Sequence, residues 1–463
     1  MASRDLVVMA LALALSACSG GDDEESPAEG PVTDPGTGLT VAACGMPRYQ
    51  LLPRSEVGKL LAQDATAKQW KPAEVDSLVK LAKVKLDAAP HGVKLYRYRY
   101  DTQDKGKVVE VTGVLAFPDG GAPLPAEPVT LLSLHGTSGW SDACSPGNDL
   151  NFTAINVVIA SRGFVVVAPD YIGMNSFGEP PTSHVSWMVG EPTAIASWDA
   201  LPAAAELLKQ VGGGLSLSPK VVLAGASQGG HAVLFTERVG QYYAPEYQVL
   251  AQAAIVPASS VTRVMSNVVS PSAGKSMIGI IPPIFVSYRD WYGSPKDLRG
   301  VFTDTDPHHF ASRADEIVFD GACTGEVEFT QVSTPEEVFE QSFLDAARAD
   351  FSQVSPWACF AQENSIVTTS NAPKSTATPM LFTVGEKDEL LPGMESDVAE
   401  LCARGFSVEH LSCAGAGHVD GALWGLADTF SWLQERVAGK PVDSAKACKV
   451  NPPVCCSGNP ACP

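Results

Sequence analysis

Apolar runs set the rhythm of this chain. VTLLSLHG (129–136), FVVVAPDYIG (164–173), KVVLAGAS (220–227), AQAAIVPA (251–258), TPMLFTVGEKD (378–388) and FSVEHLSC (406–413) are short and almost unbroken. That is the pattern of strands buried on both faces. Between them, PTAIASWDALPAAAELLKQV and SDVAELCARG carry apolar residues at helical spacing and end at glycine. Alternation of strand and helix predicts a mostly parallel α/β sheet. Upstream, KLYRYRYDTQ and VVEVTGVLAF alternate apolar and polar positions around a turn at Asp104 to Gly106, which predicts an antiparallel hairpin at the sheet edge.

One interval breaks the rhythm. After AQAAIVPA no strand pattern returns until Thr378, a gap of about 120 residues and far too long for a structureless connection in a compact domain. The expectation is an inserted, mainly helical subdomain over 258–376, laid over the sheet and dividing the core into 44–257 and 377–441. Within it, MIGIIPPIFV (277–286) is nearly all apolar. Pro282 and Pro283 deny it a regular helix, so its side chains cannot all point one way. The run is either the insertion's own core or the wall of a substrate channel, with Ile281 and Phe285 as the candidates.

Composition narrows the class. The chain has 463 residues, of which 45% are hydrophobic and 18% charged, so it can bury a large core. Its 52 acidic and 32 basic side chains give a formal charge of −20, a field that repels phosphate backbones and argues against a nucleic-acid partner. The start, MASRDLVVMALALALSAC, places Arg4 before an apolar run from Leu6 to Leu15. That run is about half of the roughly 20 residues a membrane span needs, so residues 1–17 read as a signal peptide. Leu15 to Cys18 resemble the bacterial lipobox, which makes Cys18 the expected lipidation site and a lipid anchor the expected membrane contact. An ordinary secretory peptide cut elsewhere is the rival. Residues 18–43 are rich in Gly, Pro, Ser and acid, the composition of an extended tether.

With Cys18 set aside, ten of the 11 cysteines remain. An even number in an exported chain favours disulfides. The tail 442–463 packs four of them into a stretch too polar for its own core, with a zinc knuckle as the rival. Reach limits the pairing. Cys402 ends a helix at the bottom of the sheet and Cys413 ends the next strand, about 20 Å away, so they should not pair. Cys144 should reach Cys323 or Cys359, and Cys413 should meet the tail.

The chemistry converges on the carboxyl edge of the sheet, where such folds place active sites. VVLAGASQGGHAVL sets Ser227 between a buried strand and a helix start, the strand-turn-helix setting of a nucleophile elbow. Side chains at 225 and 229 would collide with the neighbouring strand and helix. Asp388 lies just past one later strand and His418 in a glycine-rich loop past the next, which gives the order Ser, acid, His. Asp397, inside a helix, and Asp420, two residues from His418, are weaker choices for the acid. His231 points along the helix that follows Ser227, His91 and His410 fall in strand contexts, and His184 has no evident place. His308 and His309 in TDTDPHHF lack further ligands for a metal. An oxyanion hole also needs donors. The backbone N–H of Gln228 is one, and that of Gly136 or Thr137 in LHGTSGWSDACSPG is the other.

LHGTSGWSDACSPG, VVAPDYIG, GASQGGHA, TVGEKDELLP, GHV and the closing WLQERVAGKP together resemble the secretory lipase family of α/β-hydrolases. The resemblance spans roughly 45 to 441. It implies an α/β-hydrolase fold with a cap or lid, carboxylic-ester hydrolysis by Ser227, Asp388 and His418, and no cofactor or metal. The lipobox and the Cys-rich tail depart from the family pattern and bear on location rather than chemistry. The expected function is thus a serine carboxylic-ester hydrolase held at the cell envelope. A serine peptidase on the same fold and an inactive surface-binding protein are the alternatives. No propeller-like repeat precedes the hydrolase part to favour the former, and no broken triad favours the latter.

Overall fold

The computed structural model describes residues 33–34, 39–40, 43–82, 84–125, 127–320, 323, 328–371 and 377–462. The expected signal peptide, Cys18 and nearly all of the expected tether lie outside them.

A ten-stranded sheet forms the centre. In chain order its strands are β1 (Leu60–Gln63), β2 (Lys68–Trp70), β3 (Gly92–Asp104), β4 (Lys107–Asp119), β5 (Thr130–Leu134), β6 (Val165–Pro169), β7 (Lys220–Ala226), β8 (Gln248–Ile255), β9 (Pro379–Gly385) and β10 (Ser407–Cys413). In space they run β10-β9-β8-β7-β5-β6-β4-β3-β1, with β2 also on β3. From β10 to β6 every neighbour is parallel. The six apolar runs therefore all become strands. The hairpin β3–β4 is antiparallel as expected, but it is not the edge: β1 and β2 pair outside it. Those two strands are only four and three residues long, too short to carry a periodic signal.

Alternate side chains feed two cores. Val221 and Leu223 of β7 point into a cluster with Ala204 and Leu207 of α3 (Gly190–Val211) and Val233 of α4 (Gln228–Tyr243). Val222 points the other way, toward Val157 of α2 (Leu150–Ala160) and Phe430 of α13 (Leu426–Val437). Beyond α2 lies α1 (Pro72–Leu81), which buries Val75 and Val79 in that second cluster. β5 has β6 on one side and β7 on the other, so the chain reverses its direction of travel across the sheet here. The crevice beyond the carboxyl ends of β5 and β7 is where such sheets hold ligands.

Between β8 and β9 the chain forms α5 (Val261–Val268), α6 (Lys275–Ile280), α7 (Pro283–Tyr292), α8 (Ala314–Phe319), α9 (Gln341–Asp350) and α10 (Trp357–Glu363). The two prolines separate α6 from α7. Backbone carbonyls anchor α7 to the loop before α3: Ser287 Oγ donates to Val185 O at 3.0 Å, and Tyr288 hydroxyl to Met188 O at 2.9 Å. Two disulfides tie the segment down, Cys44–Cys359 and Cys144–Cys323.

The tail is part of the body. Cys448 N–H donates to Val408 O at 2.7 Å and Val454 N–H to Ser412 O at 2.8 Å, so the tail covers the open edge of β10. Cys402–Cys448 and Cys413–Cys456 staple it there, and Cys455–Cys462 closes its end. Cys402 and Cys413 do not pair, and Cys144 reaches Cys323 as its position demands. The helices α11 (Asp397–Ala403), before β10, and α12 (His418–Trp424), after it, complete the architecture. Among the described residues, no helix is long and apolar enough to cross a membrane.

Candidate active site

Ser227 follows β7 and precedes α4 with φ +60° and ψ −117°, a conformation that costs a non-glycine residue energy and persists only when its surroundings enforce it. They do. Its N–H donates to Ile255 O at 2.9 Å and its carbonyl accepts from His231 N–H at 3.1 Å. A Cβ at Gly225 would lie 2.5 Å from Gly229 O, and one at Gly229 would lie 2.0 Å from Leu134 O. The turn is therefore that tight because both flanking residues lack side chains.

Asp388 sits past the end of β9. Its Oδ1 accepts the N–H groups of Leu390 and Leu391 at 3.0 and 2.7 Å, leaving Oδ2 free to accept from His418 Nδ1 at 2.8 Å. His418 opens α12 just past β10, and its own N–H donates to Glu389 Oε2 at 3.3 Å. Both side chains are buried. Among the described residues, His418 Nε2 has no hydrogen-bond partner. It lies in a cavity of about 310 Å³ that Ser227 also lines.

Gly136, Thr137 and Gln228 line the same cavity. Gln228 begins α4, where backbone N–H groups have no partner within the helix. A Cβ at Gly136 would stand 3.1 Å from Ala226 O, so the loop after β5 lies directly against the elbow. Trp187, which the sequence did not single out, joins the two: its indole N–H approaches Thr137 Oγ1 at 3.2 Å and Gln228 Oε1 at 3.0 Å. It occupies an irregular loop with no spacing signal. His135, directly before Gly136, stacks on Tyr171 with ring centres 3.9 Å apart, and burial pulls its pKa down to about 4.

The remaining candidates lie elsewhere. His231 Nε2 pairs with Asn364 O at 2.9 Å, and burial lowers its pKa to about 4. His91 meets Gly120 O at 3.1 Å and His410 accepts from Asn451 N–H at 3.0 Å. His184 stacks on Phe319 and approaches Asp290. His308 pairs with Glu328 and His309 with Asp306; among the described residues no cluster of His, Cys, Asp or Glu could hold a metal. Asp397 accepts from Ser259 and Arg263, and Asp420 is exposed.

Of the two channel candidates, Ile281 lines the cavity, beside Ile280 and Ile284. Phe285 does not. It is fully buried among Phe302, Phe339, Phe343 and Trp357, with ring centres 5.1 to 5.9 Å away. Pro283 restarts the helical phase, so Ile284 meets the cavity and Phe285, about 100° further round, turns into the aromatic core.

A family model described as secretory lipase matches residues 149–445. The chain belongs to the secretory lipase family. It is an esterase- or lipase-like hydrolase with an α/β-hydrolase fold, and family and five disulfides together mark it as exported. Among solved structures it is similar to the rice cell wall degrading esterase LipA of Xanthomonas oryzae, at 20% identity and TM-score 0.65 over 82% of this chain and 96% of that one. It is similar to a putative hydrolase of Legionella pneumophila at 18% identity and TM-score 0.67, over 83% and 100%. Lipase A of Candida antarctica in its closed state matches at 14% identity and TM-score 0.60, over 87% of each chain. No curated protein matches the sequence.

Proposed function

We propose that this secretory-lipase family member is a serine carboxylic-ester hydrolase working through an acyl-enzyme. Ser227 Oγ attacks the ester carbonyl carbon while His418 Nε2 takes its proton. The carbonyl electron pair moves to oxygen, held by the backbone N–H of Gln228 and that of Thr137 or Gly136. On collapse the alcohol leaves with the proton from His418, and water then releases the acid by the same steps in reverse. Asp388 holds the imidazole with Nδ1 protonated and stabilises its cationic form. The segment 258–376 acts as a cap, and Ile281 borders the apolar part of the substrate.

One observation carries this reading: His418 is fixed by Asp388 through one nitrogen and offers the other, unpartnered, to an apolar cavity containing Ser227. The cavity walls are otherwise apolar apart from the polar groups of the elbow and the loop after β5, which favours an ester with a hydrocarbon portion over a charged peptide. The test is turnover of nitrophenyl esters from acetate to dodecanoate beside a panel of peptide amides, with Ser227→Ala as control. Ester turnover lost in the variant is the expected result; amide turnover as fast as ester turnover would point to a peptidase. For location, the lipobox-like Leu15 to Cys18 supports acylation at Cys18. Wild type should partition into detergent and Cys18→Ser into water; equal partitioning would remove the anchor.

A further inference from the structure

The cavity over Ser227 does not end beneath the inserted helices. Ala422 and Leu423 of α12 and Phe152 of α2 line both it and a narrower space of about 130 Å³ behind the elbow. That space shares Ile155, Leu423 and Phe430 with a third, of about 470 Å³, which opens on the surface between α1, α2 and α13. Shared walls link the three in a row from the serine to the surface, and Ile281 borders only the first of them. Among the described residues, no Asp, Glu, Lys or Arg lines any of them, on a chain with a formal charge of −20. At the outer mouth, Leu81 is 82% exposed and Val419 66% exposed. Large apolar side chains held open to water at the end of an apolar path mark a place that a ligand covers.

We propose that this path is a second hydrocarbon arm of the active site, so that the substrate is an ester with long apolar chains on both sides of its carbonyl. One chain lies under Ile280, Ile281 and Ile284; the other passes between α2 and α12 into the groove beside α1. The proposal rests on Ser227 being the nucleophile. Each methylene entering the groove leaves water, so kcat/KM should rise up to about 4-fold per added carbon until the groove is full.

The probe is a 4-nitrophenyl phosphonate with a decyl group on phosphorus and a decyloxy group as its second substituent. On reaction the Oγ–P bond forms, the P–O bond to nitrophenolate breaks, and His418 receives the serine proton. Two versions carry a diazirine at the tip of one chain or the other. After illumination, one version should label peptides within 78–86 and 151–159, and the other the peptide around 280–284. If neither labels 78–86 or 151–159, the second arm is wrong. Failure to modify Ser227 at all is a separate result, which would sink the proposed function instead. As a second measurement, Ala154→Trp, which fills the groove, and Leu81→Asp, at its exposed mouth, should each lower the ratio of long- to short-chain turnover at least tenfold for esters extended on the groove side. Unchanged ratios together with a shift in oligomeric state would show the groove to be a self-contact and overturn the inference.

Discussion

Asp388 reaches His418 with one carboxylate oxygen at 2.8 Å while its other oxygen accepts two backbone N–H groups from Leu390 and Leu391. The turn thereby fixes the carboxylate before the imidazole arrives. An amide at this position can present N–H to Nδ1 and force the wrong tautomer, so Asp388→Asn should lower kcat by about 10³ to 10⁴ with little change in KM. Ser227→Ala should lower it by about 10⁴ to 10⁶. Steady-state kinetics on a short nitrophenyl ester, with circular dichroism to check folding, decides both.

Ser227 stores strain at φ +60° and ψ −117°. Replacing it by glycine releases that strain, whereas alanine keeps it. Both variants should be inactive, yet Ser227→Gly should melt above Ser227→Ala, by an amount corresponding to about 1 to 3 kcal/mol. Equal melting temperatures would mean the elbow is not strained.

Glu191 gives a stability signature in pH. Burial raises its pKa from 4.5 to about 7, against the hydrogen bond it accepts from Tyr49. The folded state thus binds this proton more tightly than the unfolded state. The resulting stabilisation is complete below about pH 4.5 and is lost as pH rises toward 7. Asp199, raised to about 7 by burial, acts in the same direction, while His135 and His231, lowered to about 4, act in the opposite one between pH 4 and 6.5. Glu191→Gln should gain on wild type as pH goes from 5 to 8, by up to about 3 kcal/mol. Urea midpoints at the two pH values measure it; parallel shifts would show that Glu191 titrates normally.

The tail should matter for solubility. Replacing Cys402, Cys448, Cys413 and Cys456 together by serine removes closures of 46 and 43 residues, each worth up to about 4 kcal/mol on a chain-entropy estimate. The edge of β10 then opens, and an open edge strand recruits other chains. Light scattering on warming should begin well below the wild-type onset. Unchanged scattering would leave the tail a passive appendage.

Local chemistry was legible in the sequence because each piece announces itself within a few residues. Ser227 directly follows an apolar run, Asp388 lies three residues past the end of one and His418 five, so all three fall beyond the same edge of the sheet. What depends on distant contacts was not. Choosing between Ile284 and Phe285 requires the helical phase after Pro283. Trp187 contacts the loop after β5 and α4 from a segment without periodicity. β1 and β2 are too short to signal. The tail reads as polar, and its pairing with β10 becomes visible only in three dimensions.

The order of strands also sets an order of events. β8 is complete at Ile255, but its parallel partner β9 begins only at Pro379. At about 5 to 20 residues per second of synthesis, the β8 edge waits roughly 6 to 25 s for its neighbour. A chain that emerges from one end cannot close this sheet early. The residues between β8 and β9 thus keep the sheet unfinished until most of the chain has been made.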